Sequence, residues 1–213
     1  MNIISKTIMS AAALALVVGC SSTGEQSSSS SSSSSAAPGG LVVFNGEDKR
    51  AGGSWAVTTL DVDRAEVAIE QGEAFSGDSA LHFQAAGSQW MGFGWNYQNW
   101  APGIGTDTTK YSNLVFMMKV GGAKPPAPSS VTANMSSAGP GKQGSSFVSV
   151  AEYGGASLPD GQWHKITMPI ALFVNSPGDN DPLDPTLVNE VGFGAWTEDY
   201  LDFEYYVDDI RFE

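Results

Sequence analysis

Trp90-Met91-Gly92-Phe93-Gly94-Trp95-Asn96-Tyr97-Gln98-Asn99-Trp100 holds three of the chain's six tryptophans within eleven residues, among glycines and amides. Successive side chains of a β-strand point to opposite faces, so the run can be divided by parity. Met91, Phe93, Trp95 and Tyr97 form an apolar set, which predicts a core-facing side. Trp90, Gly92, Gly94 and Asn96 form the other set, and the same parity adds Gln98 and Trp100 to it. An aromatic edge, two missing side chains and several amides describe a shallow surface depression. Aromatic faces pack on the apolar side of a pyranose while amides pair with its hydroxyls, so the stretch predicts a strand that carries a sugar-binding surface. Three tryptophans packed in a core is the competing reading.

The pattern recurs in Val191-Gly192-Phe193-Gly194-Ala195-Trp196, where Gly192, Gly194 and Trp196 share one face. Two Gly-Phe-Gly strands are therefore expected to line one groove. Glycine within a strand marks close approach by a ligand or by another piece of backbone. The alternative is that these glycines accommodate an overlying loop or a bend of the sheet. Asn134 and Tyr153 lie on predicted strands that can face the groove, and Tyr200 lies on a predicted loop near its mouth. Trp55 follows Gly52-Gly53 and suits either the core or the groove rim.

Outward from these two stretches the mature chain shows no amphipathic helix, because glycine, proline, serine and asparagine interrupt most longer runs. Short strands are expected at 41–45, 55–60, 65–70, 79–85, 90–97, 113–120, 130–136, 146–152, 163–169, 190–196 and 204–212. Many strands separated by turn signals predict an all-β domain, a β-sandwich or jelly roll.

The N-terminal region is of another kind. Lys6 precedes an uncharged run from Ile8 to Val18. At about eleven residues this run is too short for the ~20 that span a bilayer, and it is expected to be a secretory signal over residues 1–19. Val17-Val18-Gly19-Cys20 resembles a bacterial lipobox, with valine in place of the more usual leucine. That resemblance implies a lipid on Cys20 and cleavage before it. Cys20 is the only cysteine, so no internal disulfide can form. Ser21 and Ser22 after the cysteine imply transfer to the outer membrane in a Gram-negative cell, facing either outward or into the periplasm. Residues 20–40 include nine consecutive serines, Ser27 to Ser35, and have too few apolar residues to drive folding. As a random coil this linker spans on the order of 25 Å. Its composition resembles the linkers of secreted polysaccharide-degrading enzymes.

Residues 41–213 are one domain's worth of chain. Without the signal, nine basic side chains face twenty-three acidic ones, a net charge of about −14. Such a surface disfavours nucleic acid and anionic polymers, and it favours a neutral ligand.

The order of short motifs along the domain carries a family resemblance. Leu41-Val42-Val43-Phe44-Asn45-Gly46-Glu47 is followed by Ser76-Gly77-Asp78-Ser79-Ala80-Leu81-His82-Phe83 and Tyr111-Ser112-Asn113-Leu114-Val115-Phe116-Met117-Met118-Lys119. Gly161-Gln162-Trp163-His164-Lys165-Ile166-Thr167, Val188-Asn189-Glu190-Val191-Gly192-Phe193-Gly194 and Tyr206-Val207-Asp208-Asp209-Ile210-Arg211-Phe212 complete it. The succession resembles the galactose-binding-domain-like jelly roll of family 11 and related carbohydrate-binding modules, and the C-terminal module of some family 3 exo-β-glucan hydrolases. The resemblance implies a core position for Trp163. It also implies a structural calcium where the first strand, an early loop and the last strand meet; Glu47, Asp78 and Asp208 match, with Asp209 as an alternative to Asp208. Carboxylate and carbonyl oxygens are the donors calcium takes. Asp179-Asn180-Asp181 also looks ion-like, although a turn or helix cap accounts for it.

The expected function is non-catalytic binding of a neutral polysaccharide, with β-glucan favoured, by a monomer. A polysaccharide hydrolase or lyase is the alternative. Glu198-Asp199 and Asp202-Phe203-Glu204 come closest to a glycosidase carboxylate pair, without a matching partner strand. His82 and His164 lie in predicted strands with no nucleophile motif nearby. A second alternative is a lipoprotein that uses its aromatic face to bind another protein.

Overall fold

Alternating apolar residues from Leu81 to Trp95 and from Val191 to Val207 build two long strands, and these organise the computed structural model, which describes residues 40–46, 54–59, 62–96, 104–137, 143–175 and 182–213. In chain order the strands are β1 (Leu41–Phe44), β2 (Ser54–Thr59), β3 (Val62–Gln71), β4 (Ser79–Asn96), β5 (Asn113–Lys124), β6 (Val131–Ser137), β7 (Gln143–Gly144), β8 (Val148–Ser149), β9 (His164–Pro169) and β10 (Val188–Phe212). One short helix, α1 (Ile170–Val174), follows β9. All pairings between these strands are antiparallel.

The strands expected at 79–85 and 90–97 are one strand, β4, and those expected at 190–196 and 204–212 are likewise one, β10. Gly87-Ser88-Gln89 and Glu198-Asp199-Tyr200 have turn composition but serve as an irregularity within continuous strands. Gln89 takes a left-handed φ of 64°, and the β4–β10 register shifts between Thr197 and Leu201. On one side of this break β4 and β10 are flanked by β2 and β6. On the other side β3 joins β4, while β1 and β5 join β10 and β9 extends β5.

Burial parity shows what the break does. Leu81, Phe83 and Ala85 are buried on one side of it and Met91, Phe93 and Trp95 on the other, all odd-numbered; Phe203, Tyr205 and Val207 mirror Val191, Phe193 and Ala195 on β10. A continuous sheet that buries the same face in both halves must fold over on itself, and a β-sandwich results. Its two layers meet where Phe193 lies 4.9 Å from Phe116 and Trp95 lies 5.5 Å from Phe44, measured between ring centroids. Each phenyl buried in this way contributes about 1.5–3 kcal/mol.

Elsewhere the predictions shift locally. The strand expected at 146–152 is reduced to β8, because the chain turns at Val150 (φ −82°, ψ −9°) into one 3-10 turn, Ala151–Tyr153. Trp163 is half-buried on the outer face of the β5 layer, against Tyr206 and Phe75, and is not a core residue. The register pairs Trp55 with Trp95.

Candidate functional site

The even-numbered side chains of β4, β10 and β6 in this layer face away from the core, and antiparallel register sets these positions in rows that extend to β2. One row is Ser54, Asn96, Glu190 and Ser136; the next is Ala56, Gly94, Gly192 and Asn134; the third is Thr58, Gly92, Gly194 and Thr132. Trp90 and Trp196 are directly paired, one pair short of the register shift in the β4–β10 ladder. Four glycines thus occupy the centre of the face in two adjacent rows.

Each glycine makes room for a side chain of the protein itself. A Cβ on Gly92 would stand 2.7 Å from Cζ2 of Trp90, and one on Gly194 would meet the same indole, 2.6 Å from Cζ2. The Trp90 ring therefore lies across both glycines. A Cβ on Gly94 would fall 2.5–2.7 Å from the Glu190 carboxyl, and one on Gly192 would collide with the Asn134 amide oxygen. Two tryptophan-length or branched side chains in these rows would exclude each other; glycine lets an indole, a carboxyl and an amide lie down on the sheet.

These groups enclose a cavity of about 240 Å³ lined by Trp90, Asn134, Phe147 and Glu190 above the glycines. That is below the ~300–1,000 Å³ of enclosed drug-sized sites and describes a shallow, open depression. Phe147 sets its ring centroid 4.0 Å from that of Trp90, tilted by 41°, and is 47% exposed. Trp196, beside Trp90 in register, is 51% exposed. The result is an exposed aromatic edge next to a polar pocket.

Glu190 is the electrostatic exception. Its side chain is buried, and burial pushes its carboxyl up to about 7 against a weaker opposing effect from the Ser136 hydroxyl bond. Its Oε2 has no hydrogen-bond partner among the described residues. A buried polar atom left in that state costs about 1–3 kcal/mol.

The structure thus brings together Trp90, Trp196 and Asn134 of the expected set, and adds Phe147 and Glu190. The signal for Glu190 was an acid at the same parity as Gly192 and Gly194 in an otherwise apolar run. For Phe147 it was a lone aromatic after Ser145-Ser146. Three expectations are corrected. Asn96 has the right parity but is fully buried, at the end of β4 between Ser54 and Glu190, and offers no surface to a ligand. Tyr153 lies in the 3-10 turn and packs against the core, because that turn replaces the strand that would have aimed it at the groove. Tyr200 lies within β10, not on a loop, and donates a hydrogen bond to Asp63 at 2.9 Å. Gln98, Trp100, Glu47, Cys20 and Asp179-Asn180-Asp181 lie outside the described residues.

The outer face of the other layer offers a contrast. His82 is stacked on Tyr206 at 4.2 Å, places Nε2 3.2 Å from Glu204 and pairs through Nδ1 with Glu70. Lys119 sits 4.2 Å above the Tyr206 ring and 2.5 Å from Glu73. The polar groups here hold one another, which describes a self-satisfied surface and not a site awaiting a ligand.

Asp208 is fully buried and gathers three backbone donors: the N–H groups of Phe75 and Ser76 at 2.9 Å and that of Asp209 at 2.6 Å. Burial nevertheless holds its carboxyl above the ordinary aspartate range. The carbonyl oxygens of Ser76 and Ser79 and Oδ1 of Asp208 converge beside Gly46, whose φ is +72°; a Cβ there would stand 2.6 Å from the Ser76 oxygen and 3.3 Å from Oδ1. Asp78 is exposed. Among the described residues no group of three or more His, Cys, Asp or Glu side chains is arranged around a metal position.

Comparison with known proteins bears on fold and family. The model of carbohydrate binding domain 30 matches residues 40–213. A family 11 carbohydrate-binding module from Clostridium thermocellum, solved in complex with a β-1,3-1,4-mixed-linked tetrasaccharide, is similar with a TM-score of 0.55 at 13% identity, covering 83% of this chain and 96% of that one. A family 30 carbohydrate binding module is similar with a TM-score of 0.57 at 12% identity, covering 81% and 86%. A β-1,2-glucanase from Parabacteroides distasonis is similar with a TM-score of 0.55 at 15% identity over 81% of this chain and 25% of that one. No curated protein sequence is matched.

Proposed function

The chain belongs to the carbohydrate binding domain 30 family, and from that premise we propose that the glycine-floored face binds a neutral polysaccharide, with a β-glucan chain as its ligand, without catalysis. The observation that carries this reading is the Trp90 indole laid across Gly92 and Gly194 beside the exposed Trp196 and Phe147. Such rings stack on sugar faces, and the Asn134 amide and Glu190 carboxyl supply directional partners for hydroxyls. The strongly acidic chain supports a neutral ligand over an anionic one, and the mixed-linked glucan bound by the similar family 11 module supports a β-glucan.

A stacked ring contributes about 0.5–1.5 kcal/mol beyond its buried area, and 1.4 kcal/mol corresponds to tenfold in affinity. Trp90→Ala is therefore expected to weaken glucan retention in affinity electrophoresis by roughly tenfold. The melting temperature should fall by only a few degrees, since the ring rests on the outer face. Retention equal to that of the unmodified protein would refute the assignment. Release of reducing sugar from the glucan would replace binding with hydrolysis.

The domain is proposed to be held at the outer membrane by a lipid on Cys20 and by the serine-rich segment 20–40. Support comes from the lipobox-like Val17-Val18-Gly19-Cys20 and the run of nine serines. Cys20→Ser is expected to move the protein from the membrane fraction to the soluble fraction, and fractionation that ignores the substitution would remove the anchor.

A structural calcium is proposed near Gly46. The Ser76 and Ser79 carbonyls and Asp208 supply hard oxygen donors of the kind it takes, and Glu47 follows Gly46 directly in sequence. When bound, the ion would fasten the end of β1 to the loop before β4 and to β10.

A further inference from the structure

We propose, resting on the groove reading above, that Glu190 is a ligand-binding residue that donates a hydrogen bond from its carboxyl to an oxygen of the bound sugar. The carboxyl lies across Gly94 on the cavity wall shared with Trp90, Asn134 and Phe147. It is 7% exposed, and its Oε2 has no partner among the described residues. Groups of this kind are rare in native proteins, and each calls for a specific explanation.

The neighbours of the carboxyl decide its ionic state. Gly94 and Asn96 face it from β4, Asn134 and Ser136 from β6, Gly192 from its own strand, and Phe147 from across the cavity. None of these is titratable, and no charged side chain among the described residues weighs on its proton; burial pushes the carboxyl up to about 7 against the weaker effect of the Ser136 hydroxyl, which favours the neutral acid below that pH. A polysaccharide laid over the cavity removes more water and favours the neutral form further. A protonated carboxyl has one O–H to give, and ring, ether and hydroxyl oxygens of a neutral sugar accept it. Ionised, the same group loses that donor and must be buried with its charge.

The test is glucan retention by the full protein, measured in affinity gels between about pH 5.5 and pH 8.5. Retention is expected to weaken roughly tenfold across that range, as the neutral fraction of an acid titrating near 7 falls. Glu190→Gln, which keeps an N–H donor and cannot ionise, should bind at all these pH values with a flat profile. Glu190→Ala should bind weakly and equally flatly, which keeps the test decisive if the glutamine variant does not fold. A flat profile in the unmodified protein, or a slope that survives in either variant, overturns the proposal. Absence of retention at every pH would instead overturn the groove reading beneath it.

Discussion

Asp208→Ala is expected to be among the most destabilising single substitutions in the domain, at about 3–5 kcal/mol. The variant leaves the part-buried N–H groups of Phe75, Ser76 and Asp209 without the acceptor that the fully buried Asp208 carboxyl provides. Each such donor costs about 1–3 kcal/mol, less whatever water entering the vacated space recovers. For a domain of this size a loss of that order lowers the melting temperature by on the order of 10 °C. Asp208→Asn retains one acceptor oxygen and should fall between the two. The same experiment tests the calcium proposal. An ion present at about 100 times its dissociation constant adds about 2.7 kcal/mol, so chelation should lower the melting temperature of the unmodified protein by several degrees and leave that of Asp208→Ala nearly unchanged. Equal responses would remove Asp208 from the ion's ligands, and melting of Asp208→Ala within about 2 °C of the unmodified protein would contradict the structural role itself.

Glu190 should give the domain a pH-dependent stability that one substitution abolishes. In the unfolded chain an ordinary glutamate titrates near 4.5, whereas in the folded state burial raises this carboxyl to about 7. Between those values the folded protein holds the proton and the unfolded chain does not. Stability therefore falls as pH rises through the interval, and the loss persists above it. The difference corresponds to about 3 kcal/mol at 1.36 kcal/mol per pH unit. Glu190→Gln carries no such penalty, so its advantage over the unmodified protein should grow from near zero at about pH 4 to about 3 kcal/mol at about pH 8, as read from urea unfolding. Parallel curves for the two proteins would mean that the carboxyl is solvated. This measurement needs no ligand and is independent of the binding test.

Much of this was legible in the sequence because period-two alternation is local. Met91, Phe93 and Trp95 fell to the core and Trp90 to the outer face as their parity required. The motif order pointed to the jelly roll of carbohydrate-binding modules; the similarity to a family 11 module is one of fold, and the family is 30. What local pattern did not carry was register. Nothing near Gly94 announces that Glu190, almost a hundred residues away, lays its carboxyl there, nor does anything near Gly192 announce Asn134. Asn96 shows the limit of parity, which assigns a face without saying whether that face is open. Gly87-Ser88-Gln89 shows the limit of turn composition: the same residues that reverse a chain can bend a strand without ending it.

That unbroken course of β10 has a mechanical consequence. Gly192, Gly194 and Trp196 on the proposed binding face and Ile210 to Phe212 at its far end belong to one strand, and β1 is fastened to that end through Leu41↔Phe212, Val42↔Arg211 and Phe44↔Ile210. Were a glucan held in the proposed groove while the proposed tether pulled on the chain before Leu41, tension would run along covalent backbone for most of the distance. It crosses to β1 only at the last step. A pull along the strands loads those few pairings together in shear, whereas a pull across them peels them one at a time. The four residues of β1 would therefore decide how much drag the attachment survives, and in which direction.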